Sequence, residues 1–328
     1  MRIGVVGAGS IGGLIGISLA ANGRHQLSVL ARGATLAALR IGPWKLVSGE
    51  GTLEAKVTAS DDASDLGIQD IIILALKGPS FASAAAAIAP LIGERTVIVP
   101  AMNGLPWWFL LEGGGDLPPT QLDTLDPDGL IAAAIPFQSV LGCVVHASAS
   151  VVRPGIVHHR AGNRLILGEP SRALTTRLDE VANVLRSGGF DVEITDRIQR
   201  DIWYKLWGNM TMNPISALTG ATCDLILDDP MVNDFVLSIM KEAAAVGARI
   251  DCRIDERGED RNQVTRGLGA FKTSMLQDVE LGRLLEVDHI LSAPNEIAER
   301  LAIETPNMKT LLGLIRLFAK IRGLYPIK

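Results

Sequence analysis

With 328 residues, 48% of them hydrophobic and 20% charged, the chain has the composition of an ordinary globular protein and is long enough for two domains. A net charge of −5 without a basic block excludes the electrostatic footprint of a nucleic-acid binder. Three cysteines (Cys143, Cys223, Cys252) stand far apart with no CxxC, which excludes a disulfide framework and suits a reducing cytoplasm. The apolar runs are too short for a membrane span, so neither membrane nor nucleic acid is an expected partner.

The first half alternates short β-branched runs with helical stretches, the pattern of a parallel sheet wrapped by helices. "RIGVVG" predicts a strand, residues 11–22 a helix and "HQLSVLA" a second strand. "DIIILAL" (70–76) is apolar on both faces, as a buried parallel strand is. Residues 79–91 predict a helix, and "TVIVPAMNG" (96–104) a strand ending in a turn. The stretch 111–128, rich in proline, glycine and acid, predicts a surface loop. "VLGCVVHASASVV", "GIVHH" and "RLILGE" predict three strands, with Pro154–Gly155 as the turn between the first two. A helix over 171–187 and the strand "DVEITD" close this half.

From about residue 197 the alternation stops, and helical periods predict helices over 198–212, 230–248, 257–270, 275–300 and 308–320. The expected division is therefore 1–196 for an α/β Rossmann-type, nucleotide-binding domain and 197–328 for an all-α domain.

Gly7-Ala8-Gly9-Ser10-Ile11-Gly12 is a G-x-G-x-x-G that follows a strand and opens a helix, the context in which the motif has a physical meaning. Gly7 makes the tight turn, Gly9 lets a pyrophosphate approach the backbone, and Gly12 lets helix and strand pack closely. This also explains the apolar N-terminus better than a signal peptide does. An NAD site places Asp or Glu at the end of the second strand, but here the chain reads Leu30-Ala31-Arg32-Gly33 and the next acid is Glu50. A carboxylate is missing and a guanidinium is available for a 2′-phosphate, which selects NADP (NADPH) as the cofactor.

In "KLWGNMTMNP" (205–214), Lys205, Asn209 and Asn213 recur at i, i+4, i+8 and share one helical stripe among tryptophans and methionines. Pro214 disfavours α geometry at Asn213. Ser274 with Gln277 forms an S-x-x-Q capping box at the start of the 275–300 helix, where free N–H groups can also meet an anion. Glu286 lies among apolar positions, with an ion pair to Arg283 as its bland alternative. The histidines (His158, His159, His289) show no ligand spacing, so no metal is expected. No G-x-S-x-G elbow supports a hydrolase. Trp107 and Trp108 read equally as shields of a cleft mouth or as packing aromatics.

"GAGSIGG", Lys77 after the "DIIILAL" strand, "MNG" (102–104), "KLWGNMTMNPISALTG" (205–220) and "SMLQDVELGRLLEVD" (274–288) together resemble the ketopantoate reductase (2-dehydropantoate 2-reductase) family along the whole chain. The resemblance implies a Rossmann domain followed by a helical domain like that of 6-phosphogluconate dehydrogenase, with the substrate in the cleft between. It implies NADPH-dependent reduction of a small 2-oxo acid, ketopantoate, in pantothenate and coenzyme A synthesis in the cytoplasm, by a chain that could assemble as a homodimer. Laid onto this sequence, it implies Lys205 as general acid, Glu286 as the group that holds and tunes it, Asn209 and Asn213 on the substrate's polar groups, and Ser274 on its carboxylate. Lys77 and Asn103 would lie beside the nicotinamide ribose and the substrate. Leu285 before Glu286, and Leu291-Ser292 after it, depart from the family pattern and leave the exact 2-oxo acid open. A related dehydrogenase for another 2-oxo acid, or a catalytically silent NADP-binding protein, are the alternatives; an intact set of Lys205, Asn209, Asn213, Ser274 and Glu286 weighs against the silent one.

Overall fold

The computed structural model describes residues 1–326, which form two compact units: 1–102 with 129–198, and 103–128 with the chain from 199 onward. The division falls within two residues of the expected 196/197 boundary but is not contiguous, because 103–128 packs with the helical unit.

The first unit opens with β1 (Arg2–Val6), α1 (Ser10–Ala21), β2 (Gln26–Leu30), α2 (Gly33–Ile41), the hairpin β3 (Trp44–Ser48) and β4 (Gly51–Ala55), and β5 (Thr58–Ser60). It continues through β6 (Ile71–Leu74), α3 (Phe81–Ala85), β7 (Val97–Pro100), α4 (Leu130–Ala134), β8 (Gly142–Arg153), β9 (Ile156–Gly168), α5 (Thr176–Ser187) and β10 (Asp191–Ile194). Five strands make a fully parallel sheet in the order β5-β2-β1-β6-β7, so the chain starts at the centre, builds one side, and crosses to the other. That reversal beside β1 is where ligands of open α/β sheets bind, outside the carboxyl ends of the strands. Ile3, Val5, Ile71, Ile73 and Val99 are buried in its core, as strands covered on both faces require.

A second sheet, β10-β9-β3-β4 with β8 along β9, carries the rest. Helix α1 packs against it closely: a Cβ on Gly13 would stand 2.4 Å from Val157 Cγ2, and one on Gly16 2.6 Å from Trp44 Cζ3. The two strands expected at "GIVHH" and "RLILGE" are one, β9, which passes Gly162 at φ +71°. The predicted 171–187 helix starts only at Thr176, because Thr175 caps it, its hydroxyl accepting the Leu178 N–H at 3.3 Å.

The second unit contains α6 (Ile198–Thr219), α7 (Cys223–Asp228), α8 (Pro230–Arg249), α9 (Gly258–Arg266), α10 (Ser274–Glu280), α11 (Ala293–Arg300) and α12 (Pro306–Ile321). Helix α6 does not stop near Pro214 as expected but runs through it. Proline removes one i→i−4 bond, but Met212, Ile215 and Ala217 are all buried on this turn, and the helix ends instead at Gly220, φ +76°. The single helix expected over 275–300 is broken. Gly282 at φ +63° ends α10, an irregular stretch follows, and a π-helical turn, Asp288–Ser292, leads into α11.

The 111–128 stretch is the expected irregular and largely exposed loop, and it is anchored by the buried run before it and by side chains of the helical unit. Trp107, Trp108, Phe109, Leu110 and Leu122 are buried, which decides for packing over shielding at the two tryptophans. Glu296 accepts the backbone N–H groups of Asp123 and Thr124, both at 2.9 Å, and Arg300 donates to Thr120 Oγ1 at 2.6 Å. Among the described residues no helix is long and apolar enough to cross a membrane.

Candidate active site

In the first unit the glycine motif is built as its spacing requires. Gly7, directly after β1, adopts φ +95°, and a Cβ there would stand 2.6 Å from the Ala75 carbonyl oxygen. A Cβ on Gly12 would stand 1.9 Å from the Gly7 carbonyl oxygen, so only glycine lets the first turn of α1 sit against the loop. A Cβ on Gly9 would meet nothing within 4 Å: the space over the N-terminus of α1 is open. Gly9 is the N-cap with no side-chain cap, and the first turn carries no acid. Ser10 and Ile11 continue into the helix half-buried, after Ala8 in the turn. An uncapped, unneutralised helix N-terminus behind an open glycine is a seat for a phosphate.

Arg32 is exposed at the N-cap of α2. Its guanidinium makes no hydrogen bond or ion pair among the described residues, whereas Arg40, in the last turn of the same helix, faces Asp61 at 3.4 Å. Lys77 is half-buried and caps the 3₁₀ turn Gly78–Ser80 that follows β6. The residues of this unit therefore fit a dinucleotide: an open glycine turn for its pyrophosphate and an uncommitted cation where a ribose carboxylate partner would otherwise be.

In the second unit, α6 carries the polar stripe. Lys205 and Asn209 are half-buried and Asn213 is 5% exposed. Lys205 Nζ donates to Asn103 Oδ1 at 2.9 Å, which brings together two residues expected from separate motifs. Asn213 Nδ2 is buried with no hydrogen-bond partner among the described residues. An amide N–H₂ without a partner costs about 1–3 kcal/mol in a packed interior, a cost that a bound acceptor removes. Behind the stripe, Trp203 and Trp207 anchor α6 to α8 by donating to the carbonyls of Ala243 (3.3 Å) and Met240 (2.7 Å). Next to Lys205, burial first and then the hydrogen bond to Glu256 hold the Tyr204 hydroxyl above the usual tyrosine range, so Tyr204 stays neutral.

Glu286 is buried, 7% exposed, and lies at the end of the irregular stretch just before the π turn rather than on a continuous helix; Arg283 is exposed. Ser274 is not the cap. Thr273 is: its hydroxyl accepts the Leu276 N–H at 3.2 Å, while Gln277 Nε2 donates to the Lys272 carbonyl at 3.0 Å. The cap moves back one residue because Thr273 has extended backbone and a buried side chain, whereas Ser274 already has helical geometry. Ser274 is left exposed in the first turn with its hydroxyl uncommitted among the described residues. No metal-binding group of three His, Cys, Asp or Glu occurs among the described residues.

Residues 3–109 match the family model described as "Ketopantoate reductase PanE/ApbA", and residues 197–319 match "Ketopantoate reductase PanE/ApbA C terminal". The 2-dehydropantoate 2-reductase of Mesorhizobium japonicum is 39% identical over 325 residues, covering 99% of this chain and 100% of that one. A solved structure from Ralstonia solanacearum MolK2, provisionally assigned as a ketopantoate reductase, is 51% identical with a TM-score of 0.95 and covers 99% of each chain. The 2-dehydropantoate 2-reductase of Geobacter metallireducens GS-15 is 27% identical with a TM-score of 0.84, covering 97% of this chain and 100% of that one.

Proposed function

The chain belongs to the ketopantoate reductase family and is an oxidoreductase acting on a CH–OH group, and on that premise we propose that it reduces 2-dehydropantoate to pantoate with NADPH. The same reading makes it the reductase of pantothenate and coenzyme A synthesis in the cytoplasm.

NADPH, when bound, would supply the hydride that the keto carbon takes up. As the carbon–oxygen double bond gives up its electron pair to oxygen, the Lys205 ammonium donates the proton that completes the hydroxyl. An ammonium stabilises charge that exists on that oxygen only as the transition state forms, so it acts on turnover. Asn103 takes one of the lysine's N–H groups and so aims the others. Asn209 and Asn213, one and two turns along α6, donate to the substrate's polar groups, and Glu286 holds and tunes Lys205. Ser274 meets the substrate carboxylate with a hydroxyl and a helix N-terminus. On the coenzyme side, the Gly7–Gly12 turn would receive the pyrophosphate, Arg32 the 2′-phosphate and Lys77 the nicotinamide ribose.

The observation that carries this reading is the 2.9 Å bond between Lys205 and Asn103, on the helix whose Asn213 Nδ2 is buried without a partner among the described residues. The test is NADPH oxidation followed spectrophotometrically with 2-dehydropantoate and a panel of other 2-oxo acids. Turnover with none of them would overturn it. A second reading, the same chemistry on a different 2-oxo acid, is favoured by Leu285 and by Leu291-Ser292, where buried leucines and a serine bonded to Asp288 replace the family pattern. A higher kcat/KM for another acid of the panel would select it.

A further inference from the structure

His289 has no part in the chemistry above, yet its surroundings are built around the turn that carries Asn103. It lies in the π turn Asp288–Ser292 and is 6% exposed. In π register each carbonyl pairs with the N–H five residues on, and the Ala293 N–H does donate to the Asp288 carbonyl. The next carbonyl, that of His289, would be served by residue 294, which is Pro294 and has no N–H. Its lone pair is taken instead by the Leu105 N–H, at 2.8 Å.

The imidazole returns the bond, Nδ1 donating to the Leu105 carbonyl at 2.9 Å. A carbonyl only accepts, so the ring carries a proton on Nδ1. Leu105 is 0% exposed, which leaves no room for water to replace either bond. Between this two-bond clamp and Asn103 stands Gly104 at φ +76°, where a Cβ would stand 2.5 Å from the His289 carbonyl oxygen. On its other side the π turn is fixed by Asp288 Oδ1, which accepts from Ser292 Oγ at 2.8 Å and from the Tyr325 hydroxyl at 2.6 Å.

We propose that His289 is a positioning residue for Lys205. It fixes Leu105 and Gly104, and through them the Asn103 side chain that aims the ammonium. The inference rests on the proposed role of Lys205 as general acid.

The test compares His289→Phe, which keeps the ring volume without the donor, with His289→Asn, whose amide N–H lies where Nδ1 lies. Steady-state rates with 2-dehydropantoate are measured alongside NADPH affinity from tryptophan quenching. His289→Phe should lower kcat by about tenfold or more with NADPH affinity unchanged, and His289→Asn should recover most of the loss. Adding His289→Phe to Asn103→Ala should cost little beyond Asn103→Ala alone, since both act on one contact. Wild-type kcat in His289→Phe, equal impairment of the Phe and Asn variants, or additive losses would overturn the inference. Should the Phe variant not fold, His289→Gln, whose amide reaches the Nε2 position instead, takes its place, and equal rates for Gln and Asn overturn it. Lys205→Ala is run in parallel. Near-wild-type turnover there removes the general-acid reading and this inference with it, whereas an inactive Lys205→Ala beside a normal His289→Phe removes this inference alone.

Discussion

The Lys205 ammonium and the Asn103 amide oxygen meet at 2.9 Å although 102 positions separate them in the chain. An amide oxygen fixes one of the ammonium's three donors, which orients the rest. Loss of the ammonium should therefore lower turnover far more than binding. Lys205→Ala is expected to lower kcat by about 10²-fold or more, the scale of general-acid effects, with NADPH affinity nearly kept. Glu286→Ala should be a weaker form of the same defect, and the double mutant less than additive. Steady-state kinetics with NADPH titration checks this, and a Lys205→Ala protein of near-normal turnover would return the lysine to a packing role.

The sequence assigns Ser274 both the cap of α10 and the substrate carboxylate, and the structure gives the cap to Thr273. Thr273→Ala removes the buried cap of α10 and should cost about 1 kcal/mol of stability. Ser274→Ala leaves that cap intact, so its melting temperature should stay near wild type while KM for the 2-oxo acid rises. Thermal melts and kinetics on the two variants separate the roles; a normal KM in Ser274→Ala would remove the serine from the site.

What was legible in the sequence was whatever a local steric or periodic demand imposes. The glycine turn is such a case, since Gly7 and Gly12 each answer a contact that any side chain would violate. The α6 stripe is another, read from a four-residue spacing. Effects that arise from tertiary packing were not legible. The helix runs through Pro214 because burial of its neighbours outweighs one missing hydrogen bond. Asn103 joins the helical unit because the aromatic run after it, Trp107 to Phe109, is buried there. The hairpin of Trp44–Ser48 and Gly51–Ala55 leaves no clear pattern in the sequence because its strands are short and its second strand is mostly exposed, which blurs the alternation. The break at Gly282 did carry a signal, a glycine after a helical period, but the leucines beyond it imitate a continuing helix.

All three cysteines are buried, and burial, with the Asp224 carboxylate adding to it, pushes the Cys223 thiol up to about 11. Raising a thiol's pKa keeps it protonated at higher pH, and the thiolate is the reactive form, so at pH 8 only about one part in a thousand of Cys223 is reactive. The native protein should resist a thiol reagent at pH 8 and release its full count of thiols only on denaturation. Rapid titration of Cys223 in the folded protein would contradict the packing around α7.

The coenzyme preference rests on what stands after β2. The ribose of NAD is held by a carboxylate at that position, and a carboxylate there would repel a 2′-phosphate. This chain has none before Glu50, and it places Arg32 there, exposed at the cap of α2 with no partner among the described residues. An uncommitted guanidinium meets a phosphate dianion with paired, charge-assisted hydrogen bonds. NADPH should bind at least about tenfold tighter than NADH, roughly 1.4 kcal/mol. Arg32→Ala should remove most of that preference by weakening NADPH and leaving NADH nearly unchanged, because the pyrophosphate proposed to sit at Gly7–Gly12 is common to both. Because the contact is exposed, the preference should also shrink as salt is raised. Titrations of tryptophan fluorescence with each coenzyme, at low and high ionic strength, measure all three effects. Equal affinities in the wild type, or an Arg32→Ala protein that binds NADPH as before, would assign the 2′-phosphate to some other group.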